Sequence, residues 1–165
     1  MFDALDTTLA RLRALSEKAA FLGPTLARLT VGLVFIGTGW GKLHSLPDVT
    51  DYFASLHIPA PGLNARLAAG TEFFGGVLVL LGLGTRLVTL PMAFTMVVAI
   101  LSAKRGDVDG LTSLVGLEEW SYIVFFLWLA VAGAGPLSLD RLLGRWRGRR
   151  AEPVALPKPL LRPQV

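Results

Sequence analysis

Long apolar blocks separated by short polar turns make up most of the chain. Four of them approach the roughly 17–25 residues that carry a helix across a bilayer core, at about 24–43, 64–83, 87–103 and 117–135. Ahead of them, Phe2, Leu5, Leu9, Leu12 and Leu15 recur every three or four positions with charges between, the period of an amphipathic helix lying on a membrane surface. In the segment 44–62, Pro47 starts a short helix whose apolar face is Val49, Tyr52, Phe53 and Leu56, until Pro59-Ala60-Pro61-Gly62 breaks it. Gly84-Thr85-Arg86 leaves room only for a tight turn, so the second and third blocks form an antiparallel hairpin, with Pro91 in about the first turn of the third. Ser138 or Asp140 caps a last basic helix, and Pro153, Pro157, Pro159 and Pro163 predict an extended or disordered tail. The expected fold is all-α: a transmembrane four-helix bundle with short amphipathic interfacial helices. Its parts are an interfacial helix at 1–23, a four-span domain at 24–136, a basic amphipathic helix at 137–150 and a tail at 151–165.

The helical phase of each span shows which side is meant for protein. Arg28, Gly32, Phe35, Gly39 and Lys42 are spaced by four, three, four and three, so they share one face of the first span. Gly37 and Gly41 form a small-xxx-small pair, expected to allow close helix approach. On the second span Ala65, Ala68, Ala69, Glu72, Gly76 and Val79 make a stripe of small residues around an acid.

Composition supports a membrane chain. Hydrophobic residues are 53%, charged residues 17% and mean hydropathy is +0.58, where a soluble domain carries about 25% charge. With no cysteine, the chain has no thiol redox chemistry and no thiolate metal centre of its own. Two histidines, His44 and His57, are too few for a self-contained haem or multi-histidine site, so no metal is expected. Asp107-Val108-Asp109-Gly110 resembles only the start of a calcium loop, and Gly-rich GTGWGK lacks the spacing of a phosphate loop. The net charge of +4 does not point to nucleic acid. Arg11, Arg13, Lys18, Arg86, Arg141, Arg145, Arg147, Arg149, Arg150, Lys158 and Arg162 gather at the termini and the 84–86 turn. Under the positive-inside rule both termini are then cytoplasmic, and the basic tail meets anionic lipid.

Two charges inside the spans carry the functional question, because an ionised group in hydrocarbon costs several kcal/mol and is normally sheltered. If the first two spans are antiparallel neighbours, Glu72 lies about 8–14 Å into the second at 1.5 Å per residue, within reach of Lys42 at the end of the first. Trp40, His44, Lys104, Trp120 and Tyr122 fall at a similar depth, so an outer-half pocket is expected with an acid, one or two cations and aromatic walls. Glu72 there carries a proton or hydrogen-bonds a quinone-like headgroup. The competing readings are a Glu72–Lys42 pair that only fastens two helices, and a lone protonated Glu72. Arg28 sits fourteen residues before Lys42, about 21 Å along the helix, and so cannot share Glu72. Its expected partner is Asp140 or a lipid phosphate, with Arg86 in the same structural group. Trp40, Trp120 and Tyr122 also suit an aromatic interfacial belt.

With these residues in place the chain resembles the DoxX family of small four-helix membrane proteins from about Leu26 to Leu142. The carriers are LARLTVGLVFIGTGWGKL at 26–43, YFASLHIPAPG at 52–62, AAGTEFFGGVLVLLGLGTRL at 68–87 and GAGPLSLDRLL at 133–143. Members resemble the small subunit of an archaeal thiosulfate:quinone oxidoreductase or associate with membrane redox complexes. The resemblance places the family's recurring polar residues at Arg28, Lys42, Glu72, Arg86 and Asp140. Where many members have a histidine near the end of the third span, this chain has Lys104. The resemblance implies a bacterial cytoplasmic (inner) membrane protein, multi-pass, lying in the lipid bilayer with other subunits of a membrane complex. The expected role is a small subunit of a quinone-linked redox system. A non-catalytic scaffold or anchor is the second reading, and a small transporter the third.

Overall fold

A computed structural model describes Ser16, Ala19 and residues 20–146 of the 165-residue chain. The expected N-terminal amphipathic helix and proline-rich tail therefore lie outside the described residues. Among the described residues the fold is all-α, with seven helices. They are α1 (Leu22–His44), α2 (Leu46–Ser55), α3 (Pro61–Leu81), α4 (Thr85–Ser102), α5 (Leu111–Gly116), α6 (Glu118–Ala132) and α7 (Leu139–Trp146). A 3-10 turn at Arg105–Asp107 and α5 occupy the segment 104–119, which the sequence presents only as a polar loop. Ser113 organises α5 locally: its Oγ accepts from the backbone N–H of Asp109 and Gly110 and donates to Gly110 O.

The helices form two tightly packed pairs, α1 on α3 and α4 on α6, while α2 lies against α3. The α3–α4 hairpin, turned at Gly82 and Gly84 with φ of 68° and 61°, packs less closely along its length. Contact between α1 and α3 is at backbone distance. A Cβ added to Gly39 would lie 2.3 Å from the Phe73 nitrogen, and one on Gly76 would lie 2.8 Å from the Ile36 nitrogen. Gly37 and Gly41, the pair expected to make this approach, have nothing within 4 Å of such an atom. They stand on the other side of α1 from the buried row Arg28, Gly32, Phe35 and Gly39, so that row makes the contact. Pro91 is also deeper than expected, because α4 begins at Thr85 and reaches proline in its second turn.

The distribution of polarity is inverted relative to a water-soluble domain. Leu33, Leu87, Phe94, Leu101 and Val131 are 61–81% exposed, whereas Arg28, Glu72, Thr85 and Thr89 are buried. Apolar outer faces on α1, α3, α4 and α6 around a partly polar interior are what a hydrocarbon solvent favours. By length and hydropathy alone, two helices among the described residues qualify as spans, α1 and α4. α3 is diluted by Asn64, Arg66 and Glu72. α6 has 15 residues, a rise of about 22 Å against a core of about 30 Å.

Candidate functional site

The close α1–α3 contact determines the site. With Gly39 seated on the backbone of Phe73, the next turn of α1 carries Lys42 to Glu72. Lys42 Nζ donates to Glu72 Oε1 in a direct ion pair. The two partners differ in environment: the Glu72 side chain is 3% exposed and that of Lys42 34%. The second carboxylate oxygen of Glu72, Oε2, is buried with no hydrogen-bond partner.

A cavity of about 800 Å³ opens beside this pair, between the two helix pairs. α1 contributes Phe35, Thr38 and Lys42 to its wall, and α3 contributes Ala68, Thr71 and Glu72. α4 adds Pro91, Thr95 and Ser102, and Tyr52, Phe53 and Leu56 of α2 and the following turn cover one end. α6 supplies Glu118, Glu119 and Tyr122. Tyr122 is held edge-on to Phe35 at 5.1 Å between ring centroids, and Phe35 meets Phe126 at 5.0 Å. Glu119 Oε2 is likewise buried without a partner. A second groove of about 480 Å³ between α1 and α6, lined by Leu26, Thr30, Phe125 and Trp128 among others, contains no ionisable side chain.

The structure thus brings Lys42, Glu72 and Tyr122 to one cavity and leaves Trp40, His44, Lys104 and Trp120 off its wall. Trp40 is 55% exposed, with its ring tilted against that of His44 at 4.0 Å between centroids and near Phe73 at 5.6 Å. His44 Nδ1 bonds the Trp40 carbonyl. Lys104 pairs with Asp107 at 3.6 Å in the turn after α4. The cause is helical phase: two residues of α-helix turn about 200°, so Trp40 and His44 stand opposite Lys42, and Trp120 opposite Tyr122. Glu118 and Glu119, which are not among the expected site residues, precede Tyr122 by four and three residues and therefore share its face. That spacing is the signal that identifies them.

Arg28 and Asp140 meet at the other end of the bundle without a direct ion pair. The Arg28 guanidinium, 2% exposed, donates from Nη2 to the Leu137 carbonyl, and its Nε and Nη1 have no partner. Asp140 acts on it electrostatically but gives its oxygens to backbone N–H groups, Gly84 at 2.8 Å and Thr85 at 3.4 Å. The carboxylate therefore caps α4 instead of neutralising Arg28 directly, because the first N–H groups of a helix lack internal partners. Arg86 is exposed and lies over Gly133, where an added Cβ would be 3.1 Å from its Nε. Among the described residues no three acidic or histidine side chains gather as metal ligands.

Comparison with known proteins agrees with this architecture. The DoxX family model matches residues 23–105. The chain is 32% identical to "Inner membrane protein YqjF" of Escherichia coli over 130 residues, 78% of this chain and 98% of that protein. It is 30% identical to "Putative oxidoreductase CatD" of Bacillus subtilis over 126 residues, 75% of this chain and 89% of that one. A third relative, "Inner membrane protein YphA" of Escherichia coli, is 34% identical over 123 residues, 70% of this chain and 86% of its own. No solved structure matches the chain. With a family match over half its length and relatives this similar across nearly their whole chains, the protein belongs to the DoxX family of membrane proteins.

Proposed function

We propose that the protein is a small multi-pass subunit of a quinone-linked redox system in the bacterial inner membrane, with α1, α3, α4 and α6 as four spans and both termini cytoplasmic. In this reading the cavity beside Glu72 receives a quinone-type headgroup. Glu72 hydrogen-bonds the headgroup and handles its protons, Lys42 holds and orients Glu72, and Tyr122 and Phe35 form an aromatic wall. Other subunits of the complex provide the electron donor. The observation that carries the reading is the Glu72 carboxylate itself: nearly fully buried, half-committed to Lys42, and facing a cavity of about 800 Å³. Pockets of about 300–1,000 Å³ with apolar walls and a few polar anchors are the usual size and make-up of small-molecule sites. Two relatives are named "Inner membrane protein" and one "Putative oxidoreductase", which supports the setting. The apolar outer faces of all four long helices support four crossings.

The test is Glu72→Gln in the complex purified in mild detergent. Quinone-dependent turnover is expected to fall to background while the subunits stay together. A complex that keeps its turnover with Glu72→Gln, yet dissociates when residues 1–20 or 151–165 are removed, would instead identify a scaffold.

A further inference from the structure

The cavity beside Glu72 is covered at one end and open at the side. Tyr52 and Phe53 of α2, with Leu56 after it, line the covered end. Leu67 on α3 and Pro91, Phe94 and Val98 on α4 line the cavity and are also exposed, Leu67 by 56% and Phe94 by 67%. Residues that are both cavity wall and outer surface mark where the cavity reaches that surface.

Helical register makes these four residues one opening. Pro91, Phe94 and Val98 are three and four residues apart and share a face of α4. α3 and α4 run antiparallel from the turn at Gly82 and Gly84, so residues equally far from the turn stand at equal depth. Leu67 is fifteen residues before Gly82 and Val98 fourteen after Gly84, about 21–23 Å from the turn at 1.5 Å per residue. Glu72 and Phe94 are each ten residues from it. The opening therefore starts level with the buried acid. A second approach, between α1 and α6, is flanked by Val34, Thr38 and Glu118, all exposed. A hydrocarbon chain leaving there passes a carboxylate, an unfavourable neighbour in an apolar medium. At the α3–α4 gap it meets leucine, phenylalanine and valine.

We infer that the site takes a chain-bearing amphiphile sideways from the bilayer through the gap between α3 and α4. The headgroup stops beside Glu72, Lys42 and Tyr122, and the chain stays among Leu67, Phe94 and Val98. The inference rests on the proposed quinone site and adds the class of quinone, one with an alkyl or isoprenoid tail, and the path by which it arrives. A chain in that gap trades lipid for side chains that are equally apolar, so no part of it has to enter water. Leu67, Phe94 and Val98 then determine specificity through the tail and leave the headgroup alone.

The experiment is photolabelling of the full chain in lipid nanodiscs. The probe is a ubiquinone analogue whose decyl chain carries a diazirine near the ring, used with and without excess decylubiquinone, and mass spectrometry locates the label. Label that decylubiquinone removes is expected mainly at residues 63–71 and 91–98. Phe94→Trp, which fills the gap, is expected to lower that label about fivefold or more. Leu87→Trp, on the same helix, 77% exposed and off the cavity wall, is expected to leave it unchanged. Competed label found mainly on α1, α2 or α6 overturns the α3–α4 path and leaves the quinone site standing. Label spread over the apolar outer faces that decylubiquinone does not remove overturns the path and the site together. Competed label at the gap that persists in Phe94→Trp overturns the role of Phe94. The measurement on the unsubstituted chain decides the path even if that variant does not fold.

Discussion

Glu72 and Lys42 contribute unequally to their pair, because one is enclosed and the other is a third open. Lys42→Met leaves a carboxylate buried with no cation, a loss of about 3–5 kcal/mol when one member of a buried pair is removed. Glu72→Gln leaves an ammonium that is already a third exposed, at about 1–3 kcal/mol. Thermal unfolding in detergent is expected to rank Lys42→Met below Glu72→Gln, with the double variant recovering much of the Lys42→Met loss. A Lys42→Met protein as stable as the parent would mean that Glu72 does not depend on that cation. The pairing was foreseeable from chain depth alone, since both residues sit near one end of adjoining antiparallel helices. Depth does not set phase, so Trp40, His44 and Trp120 lie off the cavity wall that Lys42, Glu72 and Tyr122 share.

At the scale of the helix, the α1–α3 contact has the clearest consequence. Gly39→Ala drives a methyl to 2.3 Å from a backbone nitrogen of Phe73, and backbone cannot swing aside as a side-chain tip can. Overpacking of this kind costs about 1–3 kcal/mol or more. Gly37→Ala meets nothing within 4 Å and is expected to change stability by under about 0.5 kcal/mol. Melting temperatures of the two variants, measured side by side, check this, and equal values would mean the helices do not approach at Gly39. Both glycines look alike in the sequence, one turn of small residues beside another. The Asp140 cap on α4 was similarly hidden: the acid is legible, but its partners Gly84 and Thr85 lie 56 and 55 residues away.

For the whole molecule, the proposed topology of four spans with cytoplasmic termini would place the α2 end of the bundle outside and the α7 end inside. The chain has no cysteine, so single introduced thiols report sidedness without background. Ser55→Cys, at the end of α2, is expected to react with a membrane-impermeant maleimide in intact cells. Arg145→Cys, in α7, is expected to react only after permeabilisation. Labelling at both positions in intact cells would rule out the proposed topology.

The order of the long helices, their approximate ends, the apolar belts and the presence of a sheltered acid are determined by the sequence itself. Each depends on local hydropathy and a 3.6-residue period, which neighbouring residues carry without reference to the rest of the chain. The tertiary structure decided which glycines touch, that Asp140 caps α4 while Arg28 binds a carbonyl, and that Glu118, Glu119 and Tyr122 join Glu72 around a cavity. Those features depend on the rotation and separation of helices far apart in sequence, and side-chain packing between them settles both.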